Sequence, residues 1–474
     1  MKTYPVYLNG EFVTGGSPIS VVNPATGEAF ASIATVTKTQ TKQAIDDAQA
    51  AFAGWRALTG KARGEFLHKI AAEVDARKDE LAKLITLENG KPLAQSQGEI
   101  GMTIDHLKWF AEEARRAYGR VIPHQVDGKR NVVIKSPIGV VGAISPWNFP
   151  LVLGIRKVAP ALAAGCTVVL KPAKQTPLST SVFAECVHAA KLPKGVFQVV
   201  AGSANEIGQE FLGNPHCRKI TFTGSTEVGK ILIRGAAEQV KPLSLELGGL
   251  APAIVFADAD MESALTGVML AKFRNTGQSC IAANRVYVER SIYEKFAEGL
   301  TAKTKALKTG NGLEPGMDIG PLIDEAGVKK AVEHVEDAVK RGARVLCGGK
   351  RMSGPGFFFE PTVLADVPKD GLCMREETFA PIAALCPFDT EKEAIELANG
   401  SPFGLSAFAF TRDLGRTFRL MESLEAGIMG INDGLPTTTQ APFGGVKQSG
   451  WGRELGIEGM DAFLETKHIS LGIS

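Results

Sequence analysis

Ile138-Gly-Val-Val-Gly-Ala-Ile-Ser145 and Thr167-Val-Val-Leu-Lys171, with the apolar stretch 151–165 between them, decide the fold. The two short runs have the composition of strands buried on both faces, and the segment between them is long enough for a helix. Strand, helix and strand in that order make a crossover unit with parallel strands. The alternation continues with a helix over 178–190 and strands over 197–200, 219–223, 243–247 and 253–256. A parallel sheet is the expected product, with ligands bound beyond the carboxyl ends of its strands.

Outward from this centre the pattern changes. Residues 6–36 read as short strands and turns, with Asn9-Gly10 as a hairpin signal and turns at Asn23-Pro24 and Thr26-Gly27. Ala44, Ile45, Ala48, Ala51, Phe52 and Trp55 fall at helical spacing, as do Phe66, Leu67, Ile70, Ala71 and Val74, and a third helix is expected over 95–118. Segment 119–136 reads as a two-stranded excursion around Asp127-Gly128. A second α/β set runs from 258 to about 448, with strands near Val286, Val345, Ile382, Ala407 and Ile428. The tail 463–474 is strand-like and is expected to pair with the excursion of its own or a neighbouring chain.

At 474 residues, 44% hydrophobic and 22% charged, the chain has room for two or three domains and a large core. A net charge of +2 offers no nucleic-acid or membrane surface. The cysteines at 166, 186, 217, 280, 347, 373 and 386 include no CxxC pair and no metal-ligand spacing. Neither a zinc site nor a disulfide framework is expected, which points to a reducing compartment. The N-terminus lacks a signal core or transit helix, and the longest apolar region, 151–170, carries Arg156 and Lys157. The expected location is the cytoplasm.

Several short segments carry chemistry. Lys272-Phe-Arg-Asn-Thr-Gly-Gln-Ser-Cys280 follows a helix-like run that Asp258 or Asp260 can cap, and precedes the strand-like Arg285-Val-Tyr-Val-Glu289. A thiol on a loop between rigid elements is placed for nucleophilic attack, or is merely a small buried hydrophobe. Thr223-Gly-Ser-Thr-Glu-Val-Gly229 follows a strand and opens a helix, as a phosphate site or a capped turn would. Lys171, at a strand end, can reach a ribose or phosphate, or stay solvated. Glu246 lies in an apolar strand before two glycines, where burial would make it a base usable near neutral pH. Asn148, in Ser145-Pro-Trp-Asn-Phe-Pro150, can donate its amide to a developing oxyanion or serve its own turn. Glu377 and Phe379, in Met374-Arg-Glu-Glu-Thr-Phe-Ala-Pro381, fit a ribose-binding carboxylate and a stacking ring, or an exposed loop.

Together these segments resemble the NAD(P)-dependent aldehyde dehydrogenase superfamily across essentially the whole chain. The matching segments, in order, are PWNFP (146–150), KPA (171–173), FTGS (222–225), ELGG (246–249), GQSC (277–280), EETFAP (376–381) and PFGGVKQSG (442–450). The resemblance implies an α/β fold: a Rossmann-like cofactor domain over 1–118 and 137–248, an α/β catalytic domain over 249–448, and a small β oligomerisation arm over 119–136 and 449–474. It implies a homo-oligomer, dimer or tetramer, acting on a small-molecule aldehyde; charge and cysteine spacing argue against a nucleic-acid, membrane or metal partner. Cys280 matches the nucleophile, and Asn148 with the Cys280 N–H would hold the thiohemiacetal oxyanion. Hydride transfer would leave a thioester, which water activated by Glu246 hydrolyses. Lys171 and Glu377 match ribose ligands, Phe379 packs near the nicotinamide ribose, Gly224 and Ser225 match the pyrophosphate site, and Pro146 and Trp147 belong to the same cofactor wall.

Within the superfamily the chain looks most like the succinate-semialdehyde dehydrogenases. Arg156 and Arg274 match that group's substrate-carboxylate arginines, and Thr437 stands where the group commonly has serine. An aldehyde with a distal anion, roughly three to five carbons long, is the expected substrate. Aldehydes such as 2-oxoglutarate semialdehyde, sulfonated aldehydes and neutral aldehydes are the alternatives. Ala282 replaces the second cysteine some members carry, which excludes a disulfide switch there. Lys174 occupies a position that is acidic in NAD-preferring members, so NADP is expected to be favoured over NAD. A CoA-acylating relative would typically lack Glu246, and a non-catalytic relative would lack Cys280, Glu246 or Asn148.

Overall fold

The computed structural model describes residues 1–473; Ser474, the end of the expected tail, lies outside them. Two large sheets organise the chain. In the first, eight strands run in the order Gly450–Trp451, Leu243–Glu246, Cys217–Thr223, Val140–Ile144, Thr167–Lys171, Phe197–Val199, Val6–Leu8, Glu11–Val13. The five from Leu243–Glu246 to Phe197–Val199 are mutually parallel and the outer ones antiparallel. Starting from Val140–Ile144 the chain builds outward through Thr167–Lys171 and Phe197–Val199. It then returns to Cys217–Thr223 on the opposite side. Order therefore reverses between Val140–Ile144 and Cys217–Thr223, and the turns leaving these strands splay apart into a crevice.

In the second sheet seven strands run Arg344–Cys347, Thr362–Ala365, Ile382–Phe388, Ala283–Glu289, Ala251–Val255, Ser406–Phe410, Ile428–Ile431. All pairs except the first are parallel. Ala251–Val255, expected to close the first alternating set, belongs to this second sheet. The Thr362–Ala365 strand had no separate signal, since its run is short and fully buried. The helix expected over 95–118 ends at Glu113. Met261–Phe273 is capped by Asp260, whose side chain accepts from Ser263 N–H.

The tail pairs within its own chain: Leu464–Gly472 lies antiparallel to Lys129–Pro137, which also pairs with Arg120–Ile122. The expected arm segment 449–474 divides. Gly450–Trp451 pairs with Leu243–Glu246 of the first sheet, and only the residues from Leu464 onward join the excursion. Among the described residues no helix is long and apolar enough to cross a membrane.

Candidate active site

The crevice opens as a cavity of about 1040 Å³ between the sheets. The first sheet supplies carboxyl ends: Pro146, Trp147 and Asn148 follow Val140–Ile144, and Gly224 and Ser225 follow Cys217–Thr223. The second supplies amino ends: Cys280 precedes Ala283–Glu289, and Glu377 and Phe379 precede Ile382–Phe388. The cavity is thus lined by carboxyl-end turns of the first sheet and by segments at the amino ends of the second.

Ser225 caps the helix Thr226–Ala236, its hydroxyl accepting from Val228 N–H, and Gly224 and Ser225 line the cavity, which brings the helix N-terminus beside it. Trp147 and Phe379 meet edge to face, centroids 5.5 Å apart. Phe379 has a left-handed backbone, φ 54°, uncommon for an aromatic residue and held here by the loop around it. Glu377 accepts from the Gly249 N–H at 3.3 Å; burial pushes its carboxyl up to about 7 against that hydrogen bond.

Cys280 sits after a tight turn in which Asn275 and Thr276 are left-handed. At Gly277, φ 73°, a Cβ would stand 2.2 Å from the Ala380 carbonyl oxygen, so only glycine lets the cysteine loop meet the loop of Phe379. Burial pushes the Cys280 thiol up to about 12; Glu377 adds to the shift and Arg156 opposes it. Asn148 Nδ2 donates to the Gln278 carbonyl at 3.1 Å, which fixes which end of the amide is the donor.

Beyond Cys280 lies a second cavity, about 350 Å³, lined by Arg156, Arg274 and Thr437 among largely apolar neighbours. Cys280 is in the wall of both cavities. The Arg274 guanidinium lies 5.1 Å from the centroid of the Phe149 ring, and its Nη2 meets the Met102 Sδ at 3.8 Å. Arg156 packs over Phe443. Among the described residues neither arginine forms an ion pair with a carboxylate.

Glu246, Lys171 and Lys174 lie outside both linings. Glu246 ends its strand beside Thr223, and a Cβ on Gly444 would stand 2.9 Å from its Oε1. Its carboxyl is raised well above the usual range by burial, then by Glu454, with Lys157 opposing. Lys157 donates to Thr223 Oγ1 at 2.5 Å and to Glu454. Lys171 ends its strand and donates to the Pro172 carbonyl; burial, with Lys174 nearby, lowers its ammonium to about 8. Lys174 is exposed on the following turn.

Sequence reasoning missed Lys330 in the first cavity and Met102 in the second, as well as Lys157 and Glu454 behind Glu246. Phe149 and Phe443 lay inside quoted motifs but carried no reading of their own. Among the described residues no group of three or more His, Cys, Asp or Glu could hold a metal ion.

Comparison with known proteins places this geometry. A family model described as "Aldehyde dehydrogenase family" matches residues 12–469. The glutarate-semialdehyde dehydrogenase of Pseudomonas putida is 49% identical over 469 residues, 98% of this chain and 97% of that protein. The NADP(+) succinate-semialdehyde dehydrogenase of Escherichia coli (strain K12) is likewise 49% identical over 469 residues, with 98% and 97% covered. The crystal structure of succinate-semialdehyde dehydrogenase from Burkholderia pseudomallei superposes with a TM-score of 0.98 at 46% identity, covering 99% of this chain and 98% of that one. The chain belongs to the aldehyde dehydrogenase family and is an NAD(P)-dependent aldehyde dehydrogenase.

Proposed function

We propose that the enzyme oxidises a short aldehyde bearing a distal anion, with succinate semialdehyde or its glutarate homologue as the best substrate class. The observation that carries this reading is the pair Arg156 and Arg274. Both guanidinium groups line the cavity that Cys280 also lines, and among the described residues neither has a carboxylate partner. A buried guanidinium keeps its charge and presents a fork of donors matched to a carboxylate, so its unmet partner is supplied by the substrate. The names borne by the relatives, for succinate and glutarate semialdehydes, agree with that chemistry.

In this reading Cys280 attacks the aldehyde carbon: the carbon–sulfur bond forms, the carbon–oxygen π pair moves onto oxygen, and the thiol proton passes to solvent. The Asn148 amide, with one N–H committed to Gln278, has a second to offer the thiohemiacetal oxygen. The larger cavity fits a dinucleotide: a capped helix N-terminus at Ser225 suits a pyrophosphate, and the buried Glu377 suits ribose hydroxyls. A nicotinamide held there would supply the hydride acceptor needed to oxidise the thiohemiacetal on Cys280 to a thioester. Glu246, buried and with Oε2 unpartnered, takes a proton from the water that hydrolyses the thioester. The exposed Lys174 favours NADP by meeting its extra phosphate.

Expected assembly is a homodimer or homotetramer through the arm formed by Arg120–Ile122, Lys129–Pro137 and Leu464–Gly472, which exposes Val121 and Leu471. The proposed boundaries remain a cofactor domain over 1–118 and 137–248 and a catalytic domain over 249–448. The deciding test is a panel of carboxylated, sulfonated and neutral aldehydes of matched length. A neutral aldehyde equal to the best anionic one in kcat/KM would remove the anion site from this reading.

A further inference from the structure

Lys91 lies in neither cavity, yet it touches the supports of both ends of the substrate site. It follows Gly90, the left-handed cap of the helix Lys78–Asn89, and its side chain is fully buried. An ammonium has three N–H donors and no acceptor, and here three neighbours receive it. Nζ is 2.7 Å from Glu99 Oε2, 2.7 Å from the main-chain oxygen of Asn148, and 3.9 Å from the centroid of the Phe149 ring.

Each neighbour leads somewhere. Glu99, also fully buried, uses Oε1 to accept from Leu151 N–H and Val152 N–H, so it anchors the chain just past Asn148. The Asn148 carbonyl also accepts from Asn275 Nδ2 at 2.8 Å, and Asn275 bonds the same Gln278 carbonyl that receives the Asn148 amide. The Phe149 ring carries Arg274 as well as Lys91. Asn148 and Phe149 lie in a turn, outside any helix or strand; the Phe149 carbonyl accepts from Leu153 N–H at 3.2 Å, whereas the Asn148 carbonyl is held by side chains. A donor meant for a developing oxyanion must be held to a fraction of an ångström, and those side chains must do the holding.

We propose, on the reading of Asn148 and Arg274 given above, that Lys91 is a positioning residue that sets both ends of the substrate site. Through the Asn148 carbonyl it aims the amide at the oxyanion, and through the Phe149 ring it orients Arg274 for the distal anion. It touches neither substrate nor cofactor.

The test is the double variant Lys91→Met with Glu99→Gln, which removes both charges together and so leaves no lone buried ion. Single-turnover hydride transfer is measured with succinate semialdehyde and with butanal, and the NADP dissociation constant by direct titration. The expected result is a loss of about ten-fold or more with butanal, the scale set by removing or misaligning an oxyanion donor. The loss with succinate semialdehyde should be larger again, with the cofactor constant moved by less than about two-fold. Equal losses for both aldehydes would overturn the link to Arg274, and unchanged rates would overturn the proposal outright. If the wild type does not prefer succinate semialdehyde to butanal, the anion-site reading fails instead, and butanal still reports on Asn148.

Glu99→Gln alone keeps the shape and provides a second measurement if the double variant does not fold. The groups facing the Lys91 ammonium are Glu99, Arg274 and Glu88; burial, partly offset by Glu99, holds it at about 8. Without Glu99 it falls further, so the lysine should lose its proton across neutral pH. The variant's hydride-transfer rate, divided by that of the wild type, should then decline as pH rises from about 6 towards 8, where the wild-type lysine begins to lose its own proton. A ratio flat across that range would mean Lys91 is only a packing element.

Discussion

The guanidinium of Arg156 lies over the ring of Phe443, 4.5 Å from its centroid, and its Nε has no hydrogen-bond partner among the described residues. An aromatic face holds a cation without neutralising it. The charge is therefore fixed in direction and still available. With Arg274 similarly placed on Phe149, the cavity presents paired positive charge to whatever enters it. Losing one partner of a buried charge pair costs about 2–5 kcal/mol. Succinate semialdehyde should accordingly exceed butanal by at least ~30-fold in kcat/KM, and Arg274→Ala should erase most of that gap while sparing butanal. Steady-state kinetics on both proteins with both aldehydes checks this; a gap that survives the substitution would acquit Arg274.

Cys280→Ser should abolish aldehyde oxidation while NADP still binds, because the thiol lines the cofactor cavity without being its anchor. Turnover above a few per cent of wild type would sink the assignment. The resting thiol also has a pH signature. Burial, reinforced by Glu377, pushes it up to about 12, so the reactive thiolate fraction should keep growing with pH. Alkylation of Cys280 by iodoacetamide should rise about ten-fold per pH unit through pH ~9.5, where a free thiol with pKa ~8.5 would already be levelling off. A plateau near neutrality would show that something stabilises the thiolate.

Glu246→Gln should leave acylation largely intact and slow hydrolysis, giving a burst of reduced cofactor before a slow steady state. The wild type should show the matching acid limb. The carboxyl is raised by burial and by Glu454, so it serves as a base only above that raised value, and steady-state turnover should fall as pH drops through it. Stopped-flow traces across pH test both statements. Full turnover without a burst in the variant would assign the base elsewhere.

Lys174→Glu should move preference from NADP towards NAD. A charge-assisted contact is worth roughly 1.5–3 kcal/mol, or about 10- to 100-fold. Part of the change should come through Lys171, whose ammonium is lowered by burial and by Lys174. The ratio of kcat/KM for the two cofactors in each protein decides the matter, and an unchanged ratio would clear Lys174 of any role in the choice.

What was legible in the sequence is what is local. Strand, turn and helix are contiguous at Cys217–Thr223, Gly224 and Thr226–Ala236, so pattern and turn chemistry reveal them together. Cys280 and Glu246 stood in short segments whose oddities, a lone thiol and a carboxylate among apolar residues, are visible without a fold. Lys91 and Asn148 are 57 residues apart, and Lys157 and Glu454 are 297 apart. A lysine in a helix or connection looks the same whether it faces solvent or the core, and only packing reveals which. Gly450–Trp451 was assigned to the arm for the same reason: its partner, Leu243–Glu246, is some two hundred residues upstream.

Cys280 forms part of the wall between the two cavities, and a shared wall separates traffic. On the function proposed above, a dinucleotide in the larger cavity and an aldehyde in the smaller would not compete for the same space. On that reading the sulfur is where the two ligands would meet, since Cys280 lines both chambers. Inhibitors shaped for one chamber should accordingly leave the other open, and a molecule that fills both would have to bend around a single sulfur atom.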